Sequence, residues 1–176
     1  MGRLGIDDLE DLKGTYLTGA DQEELLSAQT ECTFVFAGQG GWPGGVVMSY
    51  IVVDGSFWLT TVEGRLQVRA LTGDQRVSIV VSSAGSGLTG RRMVSIRGQA
   101  RVHRDAATLS WFLDQFTARL QSADPASWRR LLDSPNRVVI EVAPTAVAVS
   151  HDQRKIAGNG HTGGREAIVG AGGGAR

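Results

Sequence analysis

Several residue types are scarce in this sequence, and each shortage excludes a class of protein. The single cysteine, Cys32, excludes an internal disulfide and is compatible with a reducing compartment. The 18 basic residues only balance the 18 acidic ones, which argues against electrostatic binding of nucleic acid. No apolar run is long enough to span a membrane, and the polar, acidic N-terminus does not resemble a signal peptide. We therefore expect a soluble cytoplasmic protein without a nucleic-acid or membrane partner.

The 176 residues and a hydrophobic content of 41% predict one globular domain with a core of its own. Residues 1–20 show no persistent hydrophobic period and are interpreted as an N-terminal arm. The last 20 residues hold eight of the 24 glycines, so residues 156–176 are predicted to form a disordered Gly-rich tail. The folded domain is therefore expected over residues 21–155.

Hydrophobic periodicity and turn signals predict an order of helices and strands. Asp21 and Glu24 have the spacing of a capping box, which predicts a helix over 20–29. The pair Asp54-Gly55 between apolar runs predicts a β-hairpin, and Asp124-Pro125 predicts the start of a helix. The predicted strands are 32–38, 46–53, 56–61, 76–82, 91–103 and 136–149, the last broken or at a sheet edge at Pro144. Further helices are predicted at 64–71 and 106–121.

Strands with short links and segregated helices predict an α+β domain with a mostly antiparallel sheet. Six strands of this length close more easily into a small barrel than into a flat sheet, because closure removes the exposed edges. The expected fold is therefore a six-stranded antiparallel barrel with peripheral helices.

Most motifs that suggest chemistry have a simpler interpretation. The glycines of Gly38–Gly45 do not precede a helix, so they do not form a dinucleotide-binding loop. The three histidines lie in different segments without ligand spacing, so no metal site is expected. Cys32 lies in an apolar strand and is interpreted as a buried hydrophobic residue. No nucleophile elbow is present, and no catalytic residue is identified.

The segment from Thr60 to Arg69 is the strongest candidate for a binding site. Thr60 and Thr61 end a strand, Gly64 makes a turn, and Arg65 and Arg69 are spaced like one face of a short helix. Backbone N–H groups at a helix start, beside a guanidinium, suit a phosphate. The alternative is that both arginines lie on a solvated helix face.

From about Thr30 to Thr145, the sequence resembles the pyridoxamine 5′-phosphate oxidase-like split-barrel proteins. The similarity lies in strand 31–38, the Asp54-Gly55 hairpin, Thr60-Thr61, the segment GRLQVRAL followed by RVSIVV, and the strand containing VSIRGQARV. The sequence departs from the family at Gln67, where a phosphate-binding lysine is common, and at Ala70 and Gln75. On this basis, Gln67→Lys is expected to tighten FMN binding with little effect on thermal stability.

The resemblance implies a split β-barrel that binds FMN or the deazaflavin F420 at a homodimer interface. It places the ring along strand residues 46–50, the phosphate near residues 61–67, and Arg92 or Met93 near the ring. The residues implied to hold the cofactor are Val46, Val47, Met48, Ser49, Thr60, Thr61, Gly64, Arg65, Gln67, Arg69, Arg92 and Met93.

Two functions follow from this resemblance. The first is a flavin- or deazaflavin-dependent oxidoreductase that acts on a small organic substrate. The alternative is a protein that binds a flavin, F420 or haem without turnover.

Overall fold

The computed structural model describes residues 14–120 and 123–156 as an α+β fold around a closed barrel of six strands. The strands are β1 (Glu31–Ala37), β2 (Pro43–Val53), β3 (Ser56–Val62), β4 (Arg76–Ser82), β5 (Arg92–His103) and β6 (Arg137–Asp152). The helices are α1 (Gly19–Ala28), α2 (Leu66–Ala70), α3 (Ala106–Arg119) and α4 (Pro125–Leu132). The order around the barrel is β1-β2-β3-β6-β5-β4, and every neighbouring pair is antiparallel. The predicted fold class is therefore confirmed.

The hairpin between β2 and β3 forms where the sequence predicts it. Asp54 and Gly55 both have positive φ, at 50° and 77°. A two-residue hairpin turn of type I′ requires positive φ at both positions, and Asp-Gly supplies it at little cost. This turn fixes the register of β2 against β3, with Val53 opposite Ser56.

The start of α1 differs from the prediction. Thr18 is the N-cap: its hydroxyl oxygen accepts from the Asp21 N–H at 3.1 Å, and the Asp21 carboxylate accepts from the Thr18 N–H at 3.2 Å. The predicted capping box of Asp21 with Glu24 is therefore wrong, and the helix begins at Gly19, one residue before its predicted start at residue 20. The reciprocal box needs an acidic residue at the third helical position, and Asp21 occupies it.

Strand β6 runs unbroken through Pro144 and ends at Asp152, three residues beyond its predicted end at residue 149. Its first part, up to Val142, lies between β3 and β5, and the remainder pairs only with β5. Pro144 therefore lies where one side of β6 has no neighbouring strand, which is where a proline within a sheet is tolerated. The register also shifts opposite Arg97 and Gly98. The placement of Pro144 at a sheet edge agrees with the prediction.

The core has two parts. The inward faces of the strands fill the barrel with side chains such as Phe34, Tyr50, Leu59 and Ile79. On the outside, α3 packs Phe112, Leu113 and Phe116 on Ile51 and Val139. One outer face of the barrel is thus covered by α3, while the interior is packed with side chains.

The predicted termini are described only in part. Within the predicted arm, Thr15 and Leu17 are buried, and the Asp152 N–H donates to the Thr15 carbonyl at 2.6 Å. Residues 1–13 lie outside the described part of the chain, as does the predicted tail beyond Ile156. None of the helices in the described part is long and apolar enough to cross a membrane.

Candidate cofactor site

The barrel splits between β2 and β3. Their ladder has four residue pairs, from Val53–Ser56 to Tyr50–Leu59. Beyond these pairs, the segment 43–49 of β2 pairs only with β1, and the segment 60–62 of β3 pairs only with β6. The two strands therefore diverge at the residues that the sequence predicted to hold a cofactor.

The divergence leaves one edge of β2 open. The Tyr50 N–H donates to the Thr30 carbonyl at 3.0 Å, so the Tyr50 backbone groups face the β1 side. Backbone N–H and C=O groups alternate sides along a strand, which directs those of Val47 away from β1 and toward the open edge. The side chains alternate between the faces of the sheet as well, so Met48 is buried, whereas Val47 is 68% exposed. The Val47 backbone can therefore bind the polar edge of a planar ring.

Gln67 fills the split from inside. Its side chain is only 7% exposed, and its amide nitrogen lies 3.3 Å from the Thr61 hydroxyl and 4.0 Å from the Met48 sulfur. The residue therefore bridges the two diverging strands in place of backbone pairing. The resemblance placed Gln67 at the phosphate, but its side chain points into the protein.

Arg65 and Arg69 face solvent on the other side of the same segment. Gly64 makes the turn with φ of 80°, and Arg65 is the N-cap of α2, which begins at Leu66. Both arginines are exposed, and within the described residues neither guanidinium has a hydrogen bond or an ion pair. Because α2 has only five residues, its dipole adds little, and the two side chains supply most of the positive charge.

The two threonines have partners within the chain. The Thr60 hydroxyl donates to the Val138 carbonyl at 2.8 Å, which commits it to the β3–β6 contact. The Thr61 hydroxyl accepts from Gln67 and keeps its own proton to donate. Of the two hydroxyls, only that of Thr61 retains a donor for a ligand.

Arg92 and Met93 lie elsewhere in the single chain. The Arg92 side chain is 2% exposed, and its guanidinium forms an ion pair with Glu24 of α1. Met93 lines a groove of about 910 Å³ on the outside of the barrel, and Val47 lines the same groove. The structure thus brings Met93 and Val47 to one groove, and it encloses Arg92 between β5 and α1.

The sequence reasoning missed two neighbours of the candidate site. Gln39 and Leu66 line a small cavity of about 210 Å³ together with Arg69 and Ala70. Gln39 belongs to the glycine loop before β2, which no local pattern connects to α2. Leu66 is 46% exposed, and its apolar character in an exposed position is the one signal that the sequence offered.

Cys32 is opposite Met48 on β1 and is 3% exposed. Burial raises the pKa of its thiol to about 12, so the sulfur stays protonated at neutral pH. This agrees with the prediction of a buried hydrophobic residue.

A closed six-stranded antiparallel barrel that opens between two of its strands is the architecture of the split-barrel proteins. The family model for pyridoxamine 5′-phosphate oxidase matches residues 19–151, which is more than half of the chain. The chain therefore belongs to the pyridoxamine 5′-phosphate oxidase family. No curated protein sequence gives a significant match.

Solved structures share the fold at low sequence identity. The conserved hypothetical protein Rv2991 from Mycobacterium tuberculosis has a TM-score of 0.67 and 21% identity, over 80% of this chain and 88% of that one. HutZ, the heme storage protein from Vibrio cholerae, has a TM-score of 0.62 and 12% identity, over 75% and 94%. A structure named F420 Reductase has a TM-score of 0.54 and 19% identity, over 72% and 94%.

Proposed function

We propose that this protein is an oxidoreductase that uses FMN or F420 and acts on a small organic substrate. The observation that carries the proposal is the pair of exposed arginines, Arg65 and Arg69, which have no hydrogen-bond or ion-pair partner among the described residues and lie at the helix that follows the diverging end of β3. Family membership and the fold shared with a structure named F420 Reductase support it.

The described residues fit a planar cofactor with an anionic group. The guanidiniums of Arg65 and Arg69 would hold a phosphate by charge-assisted hydrogen bonds, which suits the fork geometry of arginine. The Val47 N–H and C=O would hydrogen-bond the polar edge of the ring. Because Gln67 points inward, the phosphate is held without the lysine common in the family.

The flavin or deazaflavin, when bound, supplies the hydride chemistry. The chain would bind the cofactor, orient its ring and provide the surface against which the substrate lies. Thr61 can donate one further hydrogen bond, and Met48 and Gln67 close the space behind the ring. No residue is assigned as a proton donor.

We also propose that the active form is a homodimer. Met93 was implied near the ring, yet in one chain it is on β5, with β1 and β4 between it and β2. A second copy could supply its own Met93 to the open edge of β2. Light scattering at micromolar concentration tests this, and a stable monomer would contradict it.

The alternative function is binding of a flavin, F420 or haem without turnover. The fold shared with HutZ, named a heme storage protein, favours it. The absorbance spectrum of the purified protein identifies a bound chromophore. A turnover assay separates the two functions: an oxidoreductase would oxidise a nicotinamide cofactor or reduced F420 and reduce a small acceptor, whereas a binding protein would not.

The test of the phosphate site is Arg65→Ala, measured by fluorescence quenching with FMN and with riboflavin. A charge-assisted hydrogen bond contributes about 1.5–3 kcal/mol, so FMN affinity should fall about ten- to a hundredfold. Riboflavin has no phosphate, and its affinity should not change. The melting temperature without ligand should stay the same, because an exposed arginine contributes little to folding.

Arg101→Ala is the matched control, because Arg101 is also exposed but lies on β5. It should leave both affinities unchanged. If Arg65→Ala weakened FMN and riboflavin equally, or not at all, Arg65 would belong to a solvated helix face and the phosphate site would be rejected.

A further inference from the structure

Trp42 is the most exposed large apolar side chain in the described part of the chain, at 79%. It ends the loop between β1 and β2, which is closed by a hydrogen bond from the Gly38 N–H to the Trp42 carbonyl at 2.8 Å. Gly40 and Gly41 turn this loop with positive φ, at 69° and 80°. The tight loop therefore holds the indole in solvent at a defined place, and packing of the core does not account for it.

The indole lies beside the small cavity that Gln39 and Leu66 line next to α2. Gln39 belongs to the same closed loop as Trp42. A Cβ built on Gly40, the residue after Gln39, would be 3.9 Å from the indole Cδ1, so the indole lies against this part of the loop. Leu66 is 46% exposed. The loop and the start of α2 therefore bring an aromatic and an aliphatic side chain, both exposed, to the surroundings of one cavity.

Positive charge borders the same cavity. Arg69 lines it, and Arg65 lies about one helical turn before Arg69. The carboxylates on either side of this segment form ion pairs with other arginines, Glu63 with Arg104 at 2.9 Å and Asp74 with Arg76 at 2.7 Å. The charges of Arg65 and Arg69 are therefore not neutralised by these neighbours, and two guanidiniums one turn apart suit two linked phosphates.

An exposed indole beside two guanidiniums without partners fits a nucleotide. Aromatic side chains stack on the faces of bases, while arginines bind the phosphates. A tail of carboxylates would pair with the arginines but would give Trp42 and Leu66 no contact partner. FMN ends at its phosphate and offers no base to the indole. The arrangement therefore indicates a ligand that carries an aromatic base beyond its phosphates.

We propose that Trp42, Gln39, Leu66 and Arg69 form a subsite for the adenosine phosphate group of a dinucleotide. The base stacks on the Trp42 indole, and the Gln39 amide, which has no hydrogen-bond partner among the described residues, binds its polar edge. Arg69 holds one phosphate, and Arg65 holds the phosphate next to the flavin ring, a step that rests on the proposed function. Two molecules carry this group: FAD as the cofactor, or a nicotinamide dinucleotide as the reductant.

Isothermal titration with ADP tests the subsite without any flavin. Removing an aromatic side chain on which a base stacks weakens binding about five- to a hundredfold, so Trp42→Ala should lower ADP affinity by this factor, whereas Trp42→Phe should retain most of it. Tyr16→Ala is the control, because Tyr16 is also an exposed aromatic residue, at 63%, but lies beside Lys155 ahead of α1. Absence of ADP binding, or equal ADP affinity of the wild type and Trp42→Ala, would overturn the proposal.

Titrations with FAD, FMN and NADH identify the molecule that brings the base. If the base belongs to the cofactor, FAD should bind the wild type more tightly than FMN, and Trp42→Ala should remove this difference without changing FMN affinity. If the base belongs to the reductant, FAD and FMN should bind equally, and Trp42→Ala should weaken NADH binding to the protein saturated with FMN. If neither FAD nor NADH binding depends on Trp42, the subsite for a dinucleotide is rejected.

These titrations keep the subsite separate from the proposed function. FMN binding that depends on Arg65, together with ADP binding that does not depend on Trp42, would reject the subsite and leave the cofactor site standing. ADP binding that depends on Trp42, in a protein that binds no flavin, would support the nucleotide subsite and reject the proposed cofactor. Because Trp42 is exposed, Trp42→Ala should leave the melting temperature without ligand unchanged, so a loss of affinity cannot be ascribed to unfolding.

Discussion

The substitution Gln67→Lys tests the central geometric feature of the site, the side chain that fills the split. From the sequence, this change was expected to tighten FMN binding with little effect on thermal stability. The structure contradicts that expectation, since Gln67 is 7% exposed and bridges Thr61 and Met48. A lysine there must bury an ammonium group or push its stem out toward solvent.

The destabilisation that Gln67→Lys causes lies between two limits. Loss of one side-chain hydrogen bond costs about 1 kcal/mol, and full desolvation of an ammonium group costs several kcal/mol. For Gln67→Lys without ligand, we expect a loss of about 2–4 kcal/mol in the free energy of unfolding. In a chain of this size, that lowers the melting temperature by about 4–16 °C, at roughly 2–4 °C per kcal/mol.

Gln67→Met is the matched control, because it removes the amide but adds no charge. It should lower the melting temperature by only about 2–4 °C. FMN should restore part of the stability of the lysine variant, because its phosphate offers the ammonium a counter-charge, and riboflavin should restore less. Differential scanning calorimetry with and without each ligand measures all of these effects. A lysine variant that melts within about 2 °C of the wild type would refute the inward position of Gln67.

Two further predictions concern the barrel rather than the cofactor. Gly98→Ala would place a Cβ 2.5 Å from the Val142 side chain and should lower the free energy of unfolding, measured by chemical denaturation, by about 1–3 kcal/mol. Gly73→Ala, whose Cβ would meet only the Ala70 carbonyl oxygen at an ordinary contact distance of 3.8 Å, should cost little. Arg154→Gln removes the hydrogen bonds that lower the pKa of the buried Asp152, and it should cost about 3 kcal/mol at pH 7. A carboxyl group whose pKa is lower in the folded than in the unfolded protein stabilises the fold at pH values above its unfolded pKa, which is near 4. This contribution decreases as the pH falls below that value. The difference in melting temperature between the wild type and Arg154→Gln should therefore shrink under acid conditions. An equal difference at neutral and acid pH would contradict this role of Arg154. Equal stability of the Gly98→Ala and Gly73→Ala variants would contradict the steric argument for Gly98.

Parts of the fold were determined by signals that act within a few residues. The Asp54-Gly55 turn, strand β4 at Arg76–Ser82 and the Asp124 cap of α4 all lie where the sequence predicted them. The turn and the cap depend on local backbone preferences, and the strand depends on the two-residue alternation of its side chains between the two faces of the sheet. The start of α1 is equally local, but the sequence analysis paired Asp21 with Glu24, whereas its capping partner in the structure is Thr18.

The candidate site depended on a mixture of local and tertiary effects. The sequence identified Arg65 and Arg69 as one face of a helix, and both are exposed and free in the described structure. Gln67, between them, is about 200° around the helix from Arg69 and therefore faces the opposite way. The buried Val68 and Leu71 lie on the inward side of this segment. Their apolar character is visible in the sequence, but it does not show which strands the inward side contacts.

Only the tertiary structure decided where the barrel opens and which side chains it encloses. The four-pair ladder of β2 and β3 ends at Tyr50 because β3 continues along β6 while β2 continues along β1. Arg92 alternates with exposed neighbours like any strand residue, and its burial depends on Glu24, which lies 68 positions away in the chain. Such pairings depend on how the barrel closes, and no pattern within a short window of sequence encodes the closure.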